Sequence, residues 1–231
     1  MKITVLNPYH PSQPFPSTDL ALTEPDGLLA VGGCLSPLRI LNAYRQGIFP
    51  WFNSDDPILW WSPNPRFVLF PAQLRISRRL AKTLRSERFS FKIDSAFSQV
   101  IDACSQPRTD SNGTWITDGI KQAYTQLHQQ DIAHSAEAWF EGELVGGLYG
   151  IAMGQVFFGE SMFHRKTDAS KVAFAHLVTH LSHWGYQLID CQVYTEHLES
   201  LGAIEIPRPD FVKYLDRYCD SKVDIKAWQL Q

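Results

Sequence analysis

Residues 134–163 read HSAEAWFEGELVGGLYGIAMGQVFFGESMF. Three apolar runs, HSAEAWF, LVGGLYGIAM and VFFGESMF, are separated by turn pairs at Glu141-Gly142 and Gly154-Gln155. Short apolar runs bounded by such turns predict an antiparallel meander. Downstream, DASKVAFAHLVTHLSHWG (168–185) predicts an amphipathic helix ended by Gly185. QLIDCQVY (187–194) predicts a strand, and TEHLESLGA (195–203) a short helix capped by Thr195 and ended by Gly202. Upstream, RFVLFP predicts a strand. QLRISRRLAKTLRS predicts a helix with Ile76, Leu80 and Leu84 on one face. FSFKID follows as a strand, AFSQVIDACS as a helix, and TDGIKQAYTQLHQQD as a helix with Thr117 at its N-cap.

That order predicts an α/β (α+β) protein with a mixed sheet. Its meander, long helix, strand and helix resemble the acetyltransferase (GNAT)-like fold, a likeness of topology that does not give function. Residues 1–64 differ from the rest: they are rich in Pro and Gly and cluster Trp51, Trp60 and Trp61. They read as a small N-terminal domain, with 65–231 as the acetyltransferase-like domain. PLRILNAYRQG within them predicts a short helix closed by Gly47.

Composition narrows the function classes. Apolar residues are 44% of the 231, enough for a core without staples. The net charge is −3, so a nucleic-acid partner needs a local basic patch. Cys34, Cys104, Cys191 and Cys219 are far apart with no C-x-x-C, which argues against a zinc ribbon or a disulfide framework and for reduced thiols in a cytosolic protein. No apolar run approaches the roughly 20 residues of a membrane helix, and the first residues do not read as a signal peptide.

Three places hold chemistry in apolar surroundings. In LIDCQV, alternation puts Asp190 and Gln192 on one face and Ile189, Cys191 and Val193 on the other. Cys191 then reads as an inert core thiol. Asp190 and Gln192, about 7 Å apart at Cα, are near enough for their side chains to bond; a self-satisfied structural pair and a catalytic pair both fit. Glu160 lies among Phe157, Phe158, Met162 and Phe163, where a carboxylate is costly unless a cation pairs with it. A structural salt bridge would supply that cation, and so would a ligand with an ammonium group and an apolar body. Phe174, Leu177 and Leu181 form a stripe that fits either plain core or a pocket wall. The loop HRKTDAS has no glycine, which argues against the pyrophosphate of acetyl-CoA at the helix start.

Charge is concentrated in one segment. Residues 75–92 hold Arg75, Arg78, Arg79, Lys82, Arg85, Arg88 and Lys92 against the single acid Glu87. A solvated face explains most charge runs, and a phosphate backbone explains a one-sided one. Trp51 and Trp115 read as core or as stacking platforms for an unpaired base. Together these features describe a substrate with a nucleic-acid body, an unpaired base, an apolar group and an ammonium group, as an aminoacyl-tRNA has.

The words EPDGLLAVGG, GIFPWF, WWSPNPRFVLFP, GTWIT, HSAEAW, ELVGGLYG, GESMF, ASK, LIDCQV and LGAIEIPR resemble, in order, those of the bacterial leucyl/phenylalanyl-tRNA–protein transferases, from about residue 24 to 215. Cys34 departs from that pattern, where an acidic residue is usual, and lies outside the site. The resemblance implies transfer of Leu or Phe, and less well Met, from tRNA to proteins with N-terminal Arg or Lys, which marks them for degradation. It implies a cytoplasmic enzyme that uses no metal or organic cofactor. A monomer is expected, with no membrane association.

Carried over position by position, Asp190 and Gln192 are the catalytic pair, with the Gln192 amide accepting from the incoming amine and Asp190 accepting from the Gln192 NH2, or binding the acceptor's cationic group. The aminoacyl pocket is Glu160, Leu148, Phe157, Phe174, Leu177, Leu181 and Ile189. Trp51 and Trp115 hold the 3′-terminal adenosine, and Arg78, Arg79, Lys82 and Arg85 the tRNA backbone. Leu148, Leu177 and Leu181 stand where bulkier or more flexible apolar residues are familiar, which leaves the preference between Leu and Phe open.

Overall fold

The computed structural model describes residues 3–106 and 114–229. The run that opens the sequence reading folds as the meander its turns predict: β7 (Ala133–Phe140), β8 (Glu143–Met153) and β9 (Val156–His164). Before it come β1 (Thr4–Leu6), β2 (Leu28–Gly32), α1 (Pro37–Tyr44), β3 (Phe49–Pro50), β4 (Leu59–Trp61), β5 (Arg66–Leu69), α2 (Arg78–Arg85), β6 (Ser90–Ile93), α3 (Phe97–Cys104) and α4 (Asp118–His128). After it come α5 (Ala169–His183), β10 (Leu188–Gln192), α6 (Glu196–Glu199), β11 (Ile204–Ile206) and α7 (Arg208–Tyr218).

The strands form two sheets. One, in the order β1-β2-β4-β3, uses residues before 62. The other runs β11-β5-β10-β9-β8-β7-β6. It is mixed: β10 lies parallel to β9 and antiparallel to β5, and the meander is antiparallel. The fold is therefore mixed α/β, with the acetyltransferase-like succession of meander, helix and parallel strand. The parallel neighbour β10 is reached through α5, a crossover that a tight hairpin cannot make.

Two apolar layers sandwich the large sheet. On one side α5 buries Phe174, Leu177 and Leu181 with Leu148, Phe157 and Ile189. On the other, α3 and α4 pack with α1 and the N-terminal residues in a layer that holds Tyr44, Trp60, Tyr124 and Phe158. The caps follow the sequence. Thr117 and Thr195 accept from the Ile120 and Leu198 amides, and Gly185 takes a positive φ of 84° behind α5. One helix begins later than its periodicity suggests. Ser77 caps α2, so Ile76 precedes the helix and is 41% exposed, and Leu80 and Leu84 carry the packed face. Strand β11 and helix α7 were not anticipated; Pro209 in the first turn of α7 is the signal available for that helix.

Candidate functional site

Strands β9 and β10 pair only as far as Phe158 and Asp190, and then part. Beyond that point β9 carries Glu160 and β10 carries Gln192. Two irregularities aim them. The β8–β9 register slips between Tyr149 and Gly150, which inserts Glu160 as an extra residue. Gly150 is required there, because a Cβ would sit 2.2 Å from the Phe158 carbonyl oxygen. On β10 the register to β5 slips between Asp190 and Gln192, and Gln192 adopts the left-handed region with a φ of 64°. A buried non-glycine residue in that region stores local strain, which is common where a side chain must be aimed.

Asp190 and Gln192 do not bond as the strand alternation suggests. Asp190 is fully buried and takes a two-pronged ion pair from Arg66, with Nε to Oδ1 at 2.8 Å and Nη2 to Oδ2 at 2.6 Å. Its remaining bond comes from the Gln192 backbone N–H, 3.0 Å from Oδ1. The Gln192 side chain turns the other way and donates its Nε2–H to Glu160 Oε1 at 3.0 Å. The expectation that Asp190 orients the Gln192 amide by its side chain, or meets an incoming cation, is thus corrected: the slip in register points Gln192 toward β9, and Arg66 already neutralises Asp190. Arg66 is itself buried between the rings of Phe49 and Phe211, 4.8 and 4.6 Å from its guanidinium carbon, and donates to the Gly47 carbonyl at 3.0 Å. Gly47 has a φ of 74°, and a Cβ there would come within 2.8 Å of Phe211. The glycine that closes α1 therefore also seats Arg66.

Glu160 is held by phenols and an amide; among the described residues no side-chain cation lies within ion-pair distance of it. Tyr44 of α1 donates to Oε1 at 2.7 Å and Tyr124 of α4 to Oε2 at 2.9 Å, and the two hydroxyls are 2.6 Å apart. Burial pushes the Glu160 carboxyl up to about 7; the two phenol bonds oppose that, the Asp190 charge adds to it and Arg66 opposes it. Burial, and then the Glu160 charge, hold both phenols well above the ordinary range, so they remain donors. A carboxyl poised near neutrality next to an oriented amide can hold an ammonium group or follow its loss of a proton.

The six apolar residues expected to line a pocket come together in one cluster beneath α5, each no more than 2% exposed. Met162 and Cys191 lie at its less buried edge, beside the parting strands. Cys191 faces this apolar layer as expected, and burial, with the Asp190 charge, pushes its thiol above the ordinary range. Glu160 belongs with the opposite layer, through Tyr44 and Tyr124.

The expected stacking residues sit on loops. Trp51 follows β3, is 49% exposed, and meets Trp61 edge-on at 5.9 Å. Trp115 precedes α4 and packs partly against the N-terminal layer. Arg78, Arg79, Lys82 and Arg85 are all exposed on α2. Of these, Arg79 reaches Asp168 at 3.5 Å with its side chain still 77% exposed. Arg88, Lys92 and Lys166 extend the basic face, lying over Phe140, Trp139 and Phe140 respectively. Sequence reasoning missed Arg66, Tyr44 and Tyr124. The available signal for Arg66 was an arginine opening a strand that is buried throughout.

Comparison with known proteins identifies the family. The sequence model described as "Leucyl/phenylalanyl-tRNA protein transferase" matches residues 68–216, and that of the family's N-terminal domain matches residues 33–64. A leucyl/phenylalanyl-tRNA–protein transferase of Methylococcus capsulatus is 57% identical over 98% of this chain and 97% of its own. One from Nitrosomonas europaea is 60% identical over 88% of this chain and 86% of its own. Among solved structures, a GCN5-related N-acetyltransferase from Kribbella flavida is 12% identical with a TM-score of 0.37, covering 71% of this chain and 59% of that one. The chain belongs to the leucyl/phenylalanyl-tRNA–protein transferase family, and its activity is that of an aminoacyltransferase.

Proposed function

We propose that the parting of β9 and β10 receives the aminoacyl end of Leu- or Phe-tRNA, with Met as a poorer substrate, and joins that amino acid to the N-terminal Arg or Lys of acceptor proteins. The observation that carries this reading is a near-neutral carboxyl, Glu160, clamped by two phenols and the Gln192 amide where the two strands separate. In this reading the apolar layer under α5 opens at Met162 and Cys191 to take the aminoacyl side chain. Selection there works at roughly 1–3 kcal/mol per methylene, and a substituent at Cβ is excluded by shape. Trp51 and Trp115 stack on the terminal adenosine, and the α2 cations meet the backbone phosphates.

The reaction needs little base strength. An α-amine has a pKa of about 7.7–8.0, so part of it is neutral under working conditions. The amine attacks the ester carbonyl; the C–N bond forms, the bond to the 3′ oxygen breaks, and the amine proton is lost as the leaving oxygen gains one. Because the Gln192 NH2 is committed to Glu160, its carbonyl oxygen is the end left to accept from the amine. Asp190 acts through position: with Arg66 it fixes the Gln192 backbone. Holding both substrates in attack geometry can supply up to about 7–11 kcal/mol. The product N-terminus then marks the acceptor for degradation in the cytoplasm, and the protein works as a monomer. No helix among the described residues is long and apolar enough to cross a membrane. The test is transfer of labelled leucine from Leu-tRNA to a peptide beginning with Arg, with chelator present and no CoA. Product is expected; binding of Leu-tRNA without product would reduce the protein to a tRNA-binding module.

A further inference from the structure

Residues 223–229 form a clasp against the apolar layer beneath α5. It holds a 3-10 turn at Ile225–Trp228, which Asp224 caps by accepting from the Lys226 amide at 2.9 Å. Ala227 is fully buried in the same cluster as Leu148, Phe174, Leu177 and Leu181. Its carbonyl accepts from His180 Nε2–H at 2.6 Å, which ties the clasp to the last turn of α5. Trp228 is the other anchor. Its ring stacks on His134 of β7, with centroids 3.9 Å apart and planes 7° from parallel, and its Nε1–H donates to the Tyr186 hydroxyl at 2.9 Å. His134 is itself held by Asp94, 2.7 Å from its Nδ1. The third aromatic neighbour of Trp228 is Phe157, 5.6 Å away and tilted by 33°. Beside these anchors the clasp stands off the body, across a cleft of about 230 Å³ lined by Asp131, Gly154, Ser221 and Ile225 among others.

We propose that this clasp is the floor of the aminoacyl pocket, and that Trp228 is a positioning residue that acts through Phe157 to set the pocket's depth and so the choice between Leu and Phe. This rests on the reading that the apolar layer under α5 takes the aminoacyl side chain. Phe157 lies at the start of β9 and Met162 near its end, so the ring that Trp228 backs is at the end of the layer opposite the parting strands. The same ring fills the space that Gly150 leaves, where a Cβ would come within 2.5 Å of its Cζ. In a close-packed interior a ring moves only where a neighbour leaves room. With Trp228 in place, a side chain entering at the mouth meets a fixed Phe157. With Trp228 shortened, Phe157 can retreat into the vacated space. The clasp then also loses its hold on the end of α5, whose Leu177 and Leu181 wall the layer. Both changes deepen the pocket, which favours the longer Phe side chain and leaves Leu with fewer contacts.

The experiment measures kcat/KM for transfer from Leu-tRNA and from Phe-tRNA to an Arg-initiated peptide, using full-length wild type, Trp228→Ala and Trp228→Phe, with Leu148→Ala as the reference for the pocket itself. In Trp228→Ala the Phe-to-Leu ratio is expected to rise at least about fivefold. Trp228→Phe keeps a ring against Phe157 and His134 and is expected to return the ratio to within about twofold of wild type. A merely structural role would lower both substrates alike and leave the ratio where it was. Where circular dichroism shows Trp228→Ala unfolded, His180→Ala, which frees the clasp from α5 at a half-buried residue, carries the test with the same rise expected. A ratio that is unchanged or lowered in the folded variant overturns the proposal. If Leu148→Ala moves the ratio and the clasp variant does not, the role of the clasp alone falls; if neither moves it, the pocket reading falls with it.

Discussion

Replacing Glu160 by Gln removes one half-buried charge at nearly constant shape, and the structure fixes the sign of the result. Burial raises this carboxyl from its ordinary 4.5 to about 7. A group whose pKa is higher in the folded state favours folding at low pH. That stability is fully present below the unfolded value and is lost as pH rises toward the folded one. For a shift of this size the loss amounts to about 3 kcal/mol once pH is well above 7. Gln mimics the protonated form. Its oxygen can accept from Gln192 or Tyr44, and its NH2 can donate to the Tyr124 hydroxyl, which accepts as well as donates. Imperfect re-pairing reduces the gain, so Glu160→Gln is expected to be more stable than wild type by about 1–3 kcal/mol at about pH 8. In a chain of 231 residues that raises Tm by roughly 2–12 °C. At about pH 4 the two proteins should unfold together. Calorimetry at both pH values reads the difference directly. A variant less stable than wild type at the higher pH, or a difference that ignores pH, would refute the view that the site disfavours ionised Glu160.

Other consequences are as direct. Arg66→Met strands the Asp190 charge in the core and should lower stability by about 3–5 kcal/mol, while adding Asp190→Leu should recover much of it; denaturant titration of the cycle checks this. Trp51→Ala should leave Tm nearly unchanged, since the ring is half-exposed, but weaken Leu-tRNA binding by about 1–3 kcal/mol, roughly 5- to 150-fold in Kd. Neutralising Arg78, Arg79, Lys82 and Arg85 together should flatten the salt dependence of tRNA binding by about 3 in log–log slope, measured across a salt series, with kcat at saturation little changed.

The elements of the large sheet other than β11 were legible through local punctuation: turn pairs end the strands of the meander, Thr117 and Thr195 cap helices, and Gly185 ends one. Asp190, Gln192 and Glu160 were legible as polar residues inside apolar runs. Their partners were not. Arg66 meets Asp190 across 124 residues and Tyr44 meets Glu160 across 116, separations over which no periodicity carries information. The partner of Gln192 was misjudged, though not its face: alternation assumes extended backbone, and a φ of 64° turns the amide to Glu160 instead of Asp190. A run of four consecutive buried residues at Arg66 to Leu69 likewise hides which one faces the ion pair.

In the proposed reaction Gln192, aimed by Glu160 and seated by Asp190, receives the attacking amine. The most direct measurement is the single-turnover rate of leucine transfer from saturating Leu-tRNA to an Arg-initiated peptide, in wild type and Gln192→Ala, with Leu-tRNA affinity measured alongside. The account predicts a rate lowered by at least about tenfold with affinity changed by less than about twofold. A wild-type rate in that variant would contradict it.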